Sequence, residues 1–316
     1  MKQTTLGNTG LTINPLVFGT LPLGPLQAGL SPEEGGRLIR HGLERGINLL
    51  DTAELYQSYP HIKAALDGFK GKVHIVTKTH APDGALARAH VERGLRELGL
   101  ECFDVVHLHG AKIADPFTER KEVLEELLKM KEEGKIAHVG LSSHYISAIR
   151  KAADHPEVEV IHPLINMNGM GIIDGSAEEM SAAIRACKAA GKGIYAMKAL
   201  AGGNLIPQAR QAIRYVLNVA GVDGVAIGML SEAEIDANLA LFHDDVADEE
   251  TWKGLESRRR SLRIMGNFCK GCENCLDACA SGALSVVDGK ARVNEETCIL
   301  CGYCAASCPE FVIRVV

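Results

Sequence analysis

The 316 residues carry 34 Lys and Arg against 40 Asp and Glu, a formal charge of −6, with 46% hydrophobic residues. That balance leaves no footprint for nucleic acid or an anionic membrane surface. No apolar run reaches the ~18 residues that span a bilayer, and the opening MKQTTLGNTGLTINP lacks the apolar stretch of an export signal. A cytoplasmic protein is expected, so the ten cysteines point to metal or redox chemistry rather than disulfides.

In chain order, short β-rich segments alternate with helical patterns from Leu16 to about Phe242. The strand candidates are PLVFGT (15–20), INLLDT (47–52), VHIVTK (73–78), DVVHLHG (104–110), IAHVGLSS (136–143), VEVIHPLIN (158–166), GIYAMKAL (193–200) and GVAIGML (224–230). Between them lie runs such as SPEEGGRLIRHGLERG, apolar at helical spacing and closed by Gly. This is the arithmetic of an α/β fold of the (β/α)8 TIM-barrel type. An open doubly wound sheet is the alternative, but no GxGxxG follows the first strand. The acidic DDVADEE (244–250) and the helix-like basic LESRRRSLRIMG (255–266) read as solvated faces of a linking helix. The expected division is a barrel over 1–243, a linker helix over 244–264 and a small α+β domain over 265–316.

That last domain holds CKGCENCLDACASG (269–282) and CILCGYCAASCPE (298–310), each with the spacing C-x2-C-x2-C-x3-C. Three thiolates at intervals of three clamp one face of an iron–sulfur cubane, whereas structural zinc takes two separated CxxC pairs. ALSVVDGKARVN (283–294) between the runs reads as a hairpin with an Asp-Gly turn. The segment resembles the bacterial two-cluster ferredoxins, a small ferredoxin-like fold. The resemblance implies two [4Fe–4S] clusters, one on Cys269, Cys272, Cys275 and Cys308, the other on Cys298, Cys301, Cys304 and Cys279. Ala280 stands where that family has a proline after the fourth cysteine. Cys102 and Cys187 lie on apolar barrel segments and read as core.

In the barrel, Asp51, Lys78 and His109 end the second, third and fourth strands, and Tyr56 follows on the loop over the same mouth. A phenol can protonate a developing alkoxide, and a neighbouring ammonium is expected to lower its pKa. LGNTGLTINPLVFGT, DTAELY, VTK, DVVHLHG and VGLSS resemble successive landmarks of the aldo-keto reductases. The resemblance implies an NAD(P)H-dependent barrel with Asp51, Tyr56, Lys78 and His109 as its catalytic tetrad; His107, on the same strand face, is the competing histidine. It further maps nucleotide contacts to Ser142, Ser143, His162, Met197, Lys198, Ser231, Glu234 and Asn238. Ser143 replaces a usual Asn, His162 a Gln, and Leu230 the base that grips a 2′-phosphate. SEAE (231–234) reads as a capping box whose amides suit an anion.

The favoured expectation is an oxidoreductase that reduces a small carbonyl substrate with NAD(P)H, Tyr56 acting as general acid. Its clusters would serve electron transfer, a redox-protein partner or the structure. Two alternatives stay open: a reductase fed one electron at a time by the clusters without nicotinamide, and an electron carrier on a barrel scaffold. The loops PLGPLQAG (22–29) and GMGIIDG (169–175) are the expected pocket linings.

Overall fold

The computed structural model describes residues 3–111, 113–243 and 249–316; most of the acidic run 244–250 lies outside them. A two-stranded hairpin, β1 (Thr4–Thr5) with β2 (Thr12–Ile13), precedes eight parallel strands. These are β3 (Leu16–Gly19), β4 (Leu49–Asp51), β5 (His74–Thr79), β6 (Phe103–Gly110), β7 (Ile136–Ser143), β8 (Val160–Pro163), β9 (Gly193–Ala196) and β10 (Gly224–Gly228). β10 pairs with β3, so the sheet closes into a barrel.

The strands are runs of Val, Ile and Leu because both faces are buried. Alternation sends Val17, Leu49, Val76, Val105, Val160 and Tyr195 inward, where they meet Leu6 and Ile13 of the leading hairpin. That hairpin plugs the end of the barrel where the strands begin. Its strands are two residues long, too short for a periodicity argument, and the sequence reading missed it. The opposite faces pack under helices such as Pro32–Glu44, opened by Ser31 and Glu34 in a capping box. Each fully buried Val, Leu or Ile contributes about 1.5–3 kcal/mol. No helix among the described residues is long and apolar enough to cross a membrane.

Of the linker helix expected over 244–264, the described residues realise Glu249–Glu256; 244–248 lie outside them. The basic run does not continue it: Leu262–Ile264 is a strand, β11, antiparallel to the C-terminal β14 (Ile313–Val315). Pairing with a distant strand, which buries Leu262, overrides the local helical pattern. Within the C-terminal module β12 (Leu284–Val287) and β13 (Lys290–Val293) form the hairpin anticipated around Asp-Gly. Asp288 and Gly289 have φ of 51° and 68°, as a type I′ turn requires.

The module sits on the open mouth of the barrel. Gly202, with φ +71°, lies so close to Ile299 that an added Cβ would stand 1.7 Å from the Ile299 carbonyl oxygen. Asn204 Nδ2 donates to the Cys298 carbonyl at 2.8 Å, and Gln27 Nε2 to that of Leu300 at 3.4 Å. The loop between the second run's first cysteines thus spans from the loop after β3 to the loop after β9.

Candidate active site

Asp51, Lys78 and His109 end or nearly end three neighbouring strands, and the one-turn 3-10 helix Glu54–Tyr56 carries Tyr56 over them. Lys78 Nζ donates to Asp51 Oδ1 at 2.6 Å, to Asp51 Oδ2 at 2.8 Å and to the Thr52 carbonyl at 2.8 Å. An ammonium has three protons, and all are committed. Burial lowers the Lys78 pKa, opposed by the Asp51 charge. The ammonium stands 5.1 Å from the Tyr56 ring centroid, and the Tyr56 and His109 rings meet edge to face at 6.3 Å.

The expected lowering of the Tyr56 pKa is not what this environment produces. Burial pushes it well above the usual phenol range, and Tyr303 and Asp51 add to the shift. The charge of Lys78 is offset by the carboxylate it holds, so Tyr56 stays a protonated donor.

Beneath lies a deeper chain. Tyr195 donates its hydroxyl to Asp51 Oδ1 at 2.8 Å, so His107 Nε2, 2.7 Å from that phenol oxygen, must carry the proton and donate. His162 Nδ1 donates to the Tyr195 carbonyl at 2.6 Å. His107 is fully buried and faces this chain, whereas His109 faces Tyr56. Burial, His162 and Lys78 depress the His107 pKa; burial and Lys78 do the same for His109.

Residues 15–211 match the Aldo/keto reductase family. The chain belongs to that family. A Pseudomonas aeruginosa protein assigned to the aldo-keto reductases superposes with a TM-score of 0.66 at 26% identity, over 77% of this chain and 94% of its own. A second Pseudomonas structure gives 0.65 at 26% identity, over 77% and 94%. An aldo-keto reductase of Bacillus halodurans in its holo form gives 0.65 at 23% identity over 81% and 95%, a likeness of fold. Residues 261–309 match a 4Fe-4S dicluster domain. This aldo-keto reductase is therefore an oxidoreductase with an iron–sulfur domain built onto its barrel.

Two cavities in that domain are each lined by one of the two cysteine sets expected from the ferredoxin resemblance. Cys269, Cys272, Cys275 and Cys308 surround the first; Cys279, Cys298, Cys301 and Cys304 surround the second. Backbone amides of Ala291 and Ala283 donate to Cys269 Sγ at 3.3 Å and Cys279 Sγ at 3.2 Å. Four thiols around each cavity, with amides turned to the sulfur, fit a [4Fe–4S] cluster. Cys187 is fully buried in the barrel core, and Cys102, just before β6, is half-buried.

The residues expected at a nucleotide fit it poorly. Glu234 takes the Arg258 guanidinium and accepts from Leu230 N at 2.6 Å, while Asn238 Nδ2 donates to the Glu234 carbonyl at 2.8 Å. Ser231 does cap the helix Glu232–Phe242, but the Glu234 carboxylate turns to Leu230 and Arg258, so the expected reciprocal capping box is not formed. Arg260 lies against Gly203, and burial lowers its pKa while Glu234 opposes. The segment after Glu256 thus occupies the surroundings of Glu234 with two arginines. Ser143 and His162 are engaged with Gly110 and Tyr195. Met197 is tied to β8 through Pro163, and Lys198, at φ 60°, faces Cys301 and Cys298.

Two site residues escaped the sequence reading. Tyr195 shares an inward face with Met197, and period-two alternation could have found it. Tyr303, in the C-G-Y-C spacer of the second cysteine run, lies 3.2 Å through its hydroxyl from His109 Nε2. It packs with Leu26, Ala53 and Tyr56. No local signal in the sequence links positions 109 and 303.

Proposed function

We propose that the protein reduces a small carbonyl compound in the barrel mouth, with Tyr56 as proton donor to the carbonyl oxygen and with electrons drawn from the iron–sulfur module rather than from a nicotinamide hydride. The observation that carries this reading is Tyr303: a residue between Cys301 and Cys304 touches His109 inside the barrel. When bound, a [4Fe–4S] cluster on those cysteines supplies electrons singly, beside the mouth.

The remaining work belongs to side chains. His109 orients the carbonyl oxygen towards the Tyr56 hydroxyl. Asp51 fixes Lys78, and the pair holds the ammonium beside the Tyr56 ring. Reduction of a carbonyl to an alcohol takes up two electrons and two protons, one on oxygen and one on carbon. Tyr56 gives the first, and Tyr303, the second phenol at the same histidine, is the donor we assign for the other. Leu26, Ala53 and Tyr303 exclude water around Tyr56. The hydride reading keeps one observation in its favour. Ser142 Oγ and Asn238 Oδ1, at positions the family resemblance gives to the nucleotide, are buried without hydrogen-bond partners.

The test is anaerobic. Cluster-loaded protein is reduced with dithionite, freed of excess, and mixed with a panel of aldehydes and 1,2-diketones while visible absorbance reports cluster reoxidation. Parallel titrations with NADH and NADPH follow protein fluorescence. Reoxidation that Tyr56→Phe slows by about 10²–10⁴-fold, with no binding of either nucleotide, supports the proposal. Saturable nucleotide binding and carbonyl turnover with the clusters left oxidised would overturn it in favour of hydride transfer.

A further inference from the structure

Beside the mouth, on the outer side of the turn that carries Tyr56, three side chains converge that the proposed chemistry does not use. Glu54 begins that turn, His80 follows β5, and His90 lies in the helix Gly84–Leu98. His80 Nδ1 is 3.2 Å from Glu54 Oε2, His90 Nε2 is 3.9 Å from the same oxygen, and the three ligand atoms lie within 4.8 Å of one another. Glu54 Oε2 is buried and accepts no hydrogen bond. His90 is only 8% exposed, with its ring 5.1 Å from that of His80.

We infer that Glu54, His80 and His90 form a binding site for a divalent transition-metal ion, with the two-histidine, one-carboxylate donor set that suits zinc. Donor atoms within 4.8 Å of one another can close on an ion at ~2.0–2.2 Å from each, leaving a fourth position for water. The outer contacts match what metal ligands need. His90 Nδ1 lies 2.8 Å from Thr79 Oγ1, which fixes the ring and aims Nε2 at Glu54. Arg93 holds Glu54 Oε1, leaving Oε2 turned to the histidines. His80 is 45% exposed in its side chain and supplies the entry path.

The position gives the ion a consequence. Glu54 is two residues before Tyr56 and His80 two residues after Lys78, so an ion bridging them staples the Tyr56 turn to the end of β5. The alternative is that the three side chains only serve the polar contacts of Glu54 with His80 and Arg93.

Cluster-loaded protein is titrated with zinc anaerobically by calorimetry, with visible absorbance confirming that the clusters stay intact. One equivalent is expected to bind and to raise the unfolding temperature of the barrel. Thr79→Val should weaken binding by about 10–100-fold as a loss of outer support, and His80→Ala, a change at an exposed position, by more. Glu54→Gln keeps the shape and should likewise abolish the equivalent. No zinc binding to the parent protein, or binding of equal strength in His80→Ala and Glu54→Gln, would overturn the inference.

Discussion

The barrel and the module that closes it are held together by different means. The barrel has a continuous core in which residues such as Phe18, Phe103, Ile161 and Ile213 are essentially inaccessible to water. The module's core is small, and five of its fourteen buried members are cysteines, with Leu262, Leu300, Val312, Ile313 and Val315 among the rest. A unit of about 50 residues is near the size at which apolar burial alone stops sufficing and metals take over. The barrel is thus held by apolar packing, and the module is expected to depend on its iron ligands for its shape.

Breaking that dependence should give the largest effect. Removing iron, or replacing Cys304 by Ala, is expected to abolish hydrogen-exchange protection across 261–316 while β3 to β10 stay protected. Next comes the buried ion pair of the barrel. Lys78→Met leaves Asp51 charged, buried and short of its main donor, and should cost about 3–5 kcal/mol in barrel unfolding, with the module's visible spectrum unchanged. Gly202→Ala sharpens the comparison at the seam. Its left-handed backbone costs about 1–2 kcal/mol with any Cβ, and the Ile299 carbonyl has nowhere to go. Exchange should rise in 298–303 with little change in the barrel.

The smallest effect is titration. Burial depresses His107, His109, His144 and His162 well below the ordinary imidazole value. The unfolded chain therefore binds protons that the folded chain refuses, and stability present above about pH 6.5 is lost as pH falls. Each histidine contributes up to about 1.4 kcal/mol per pH unit. His162→Gln should remove one such share from the slope of unfolding free energy below pH 6.5, measured by denaturant titration.

How much of this was legible follows the same division. Strand ends carrying Asp51, Lys78 and His109 can be read because alternation and strand length fix which side chains reach the mouth. The cysteine runs can be read because ligand spacing is local. Contacts that join distant segments are not legible in this way: Tyr303 at His109, Arg258 at Glu234, Ile299 under Gly202. Each is set by how the module docks, and docking leaves no periodicity. The basic run that turned into β11 failed for that reason too, its partner lying at the far end of the chain. The expectation for the Tyr56 pKa failed on burial, which a linear sequence does not display.

Tyr303 has a bearing on how the protein matures. It sits between Cys301 and Cys304 and reaches His109 at the barrel mouth through its hydroxyl. If loop 298–304 takes its fold only when a cluster binds, the same event sets Tyr303 against His109. The proposed reaction then needs iron twice, once for electrons and once for a finished mouth, and a chain made when iron is scarce is expected to hold a folded barrel whose mouth is incomplete.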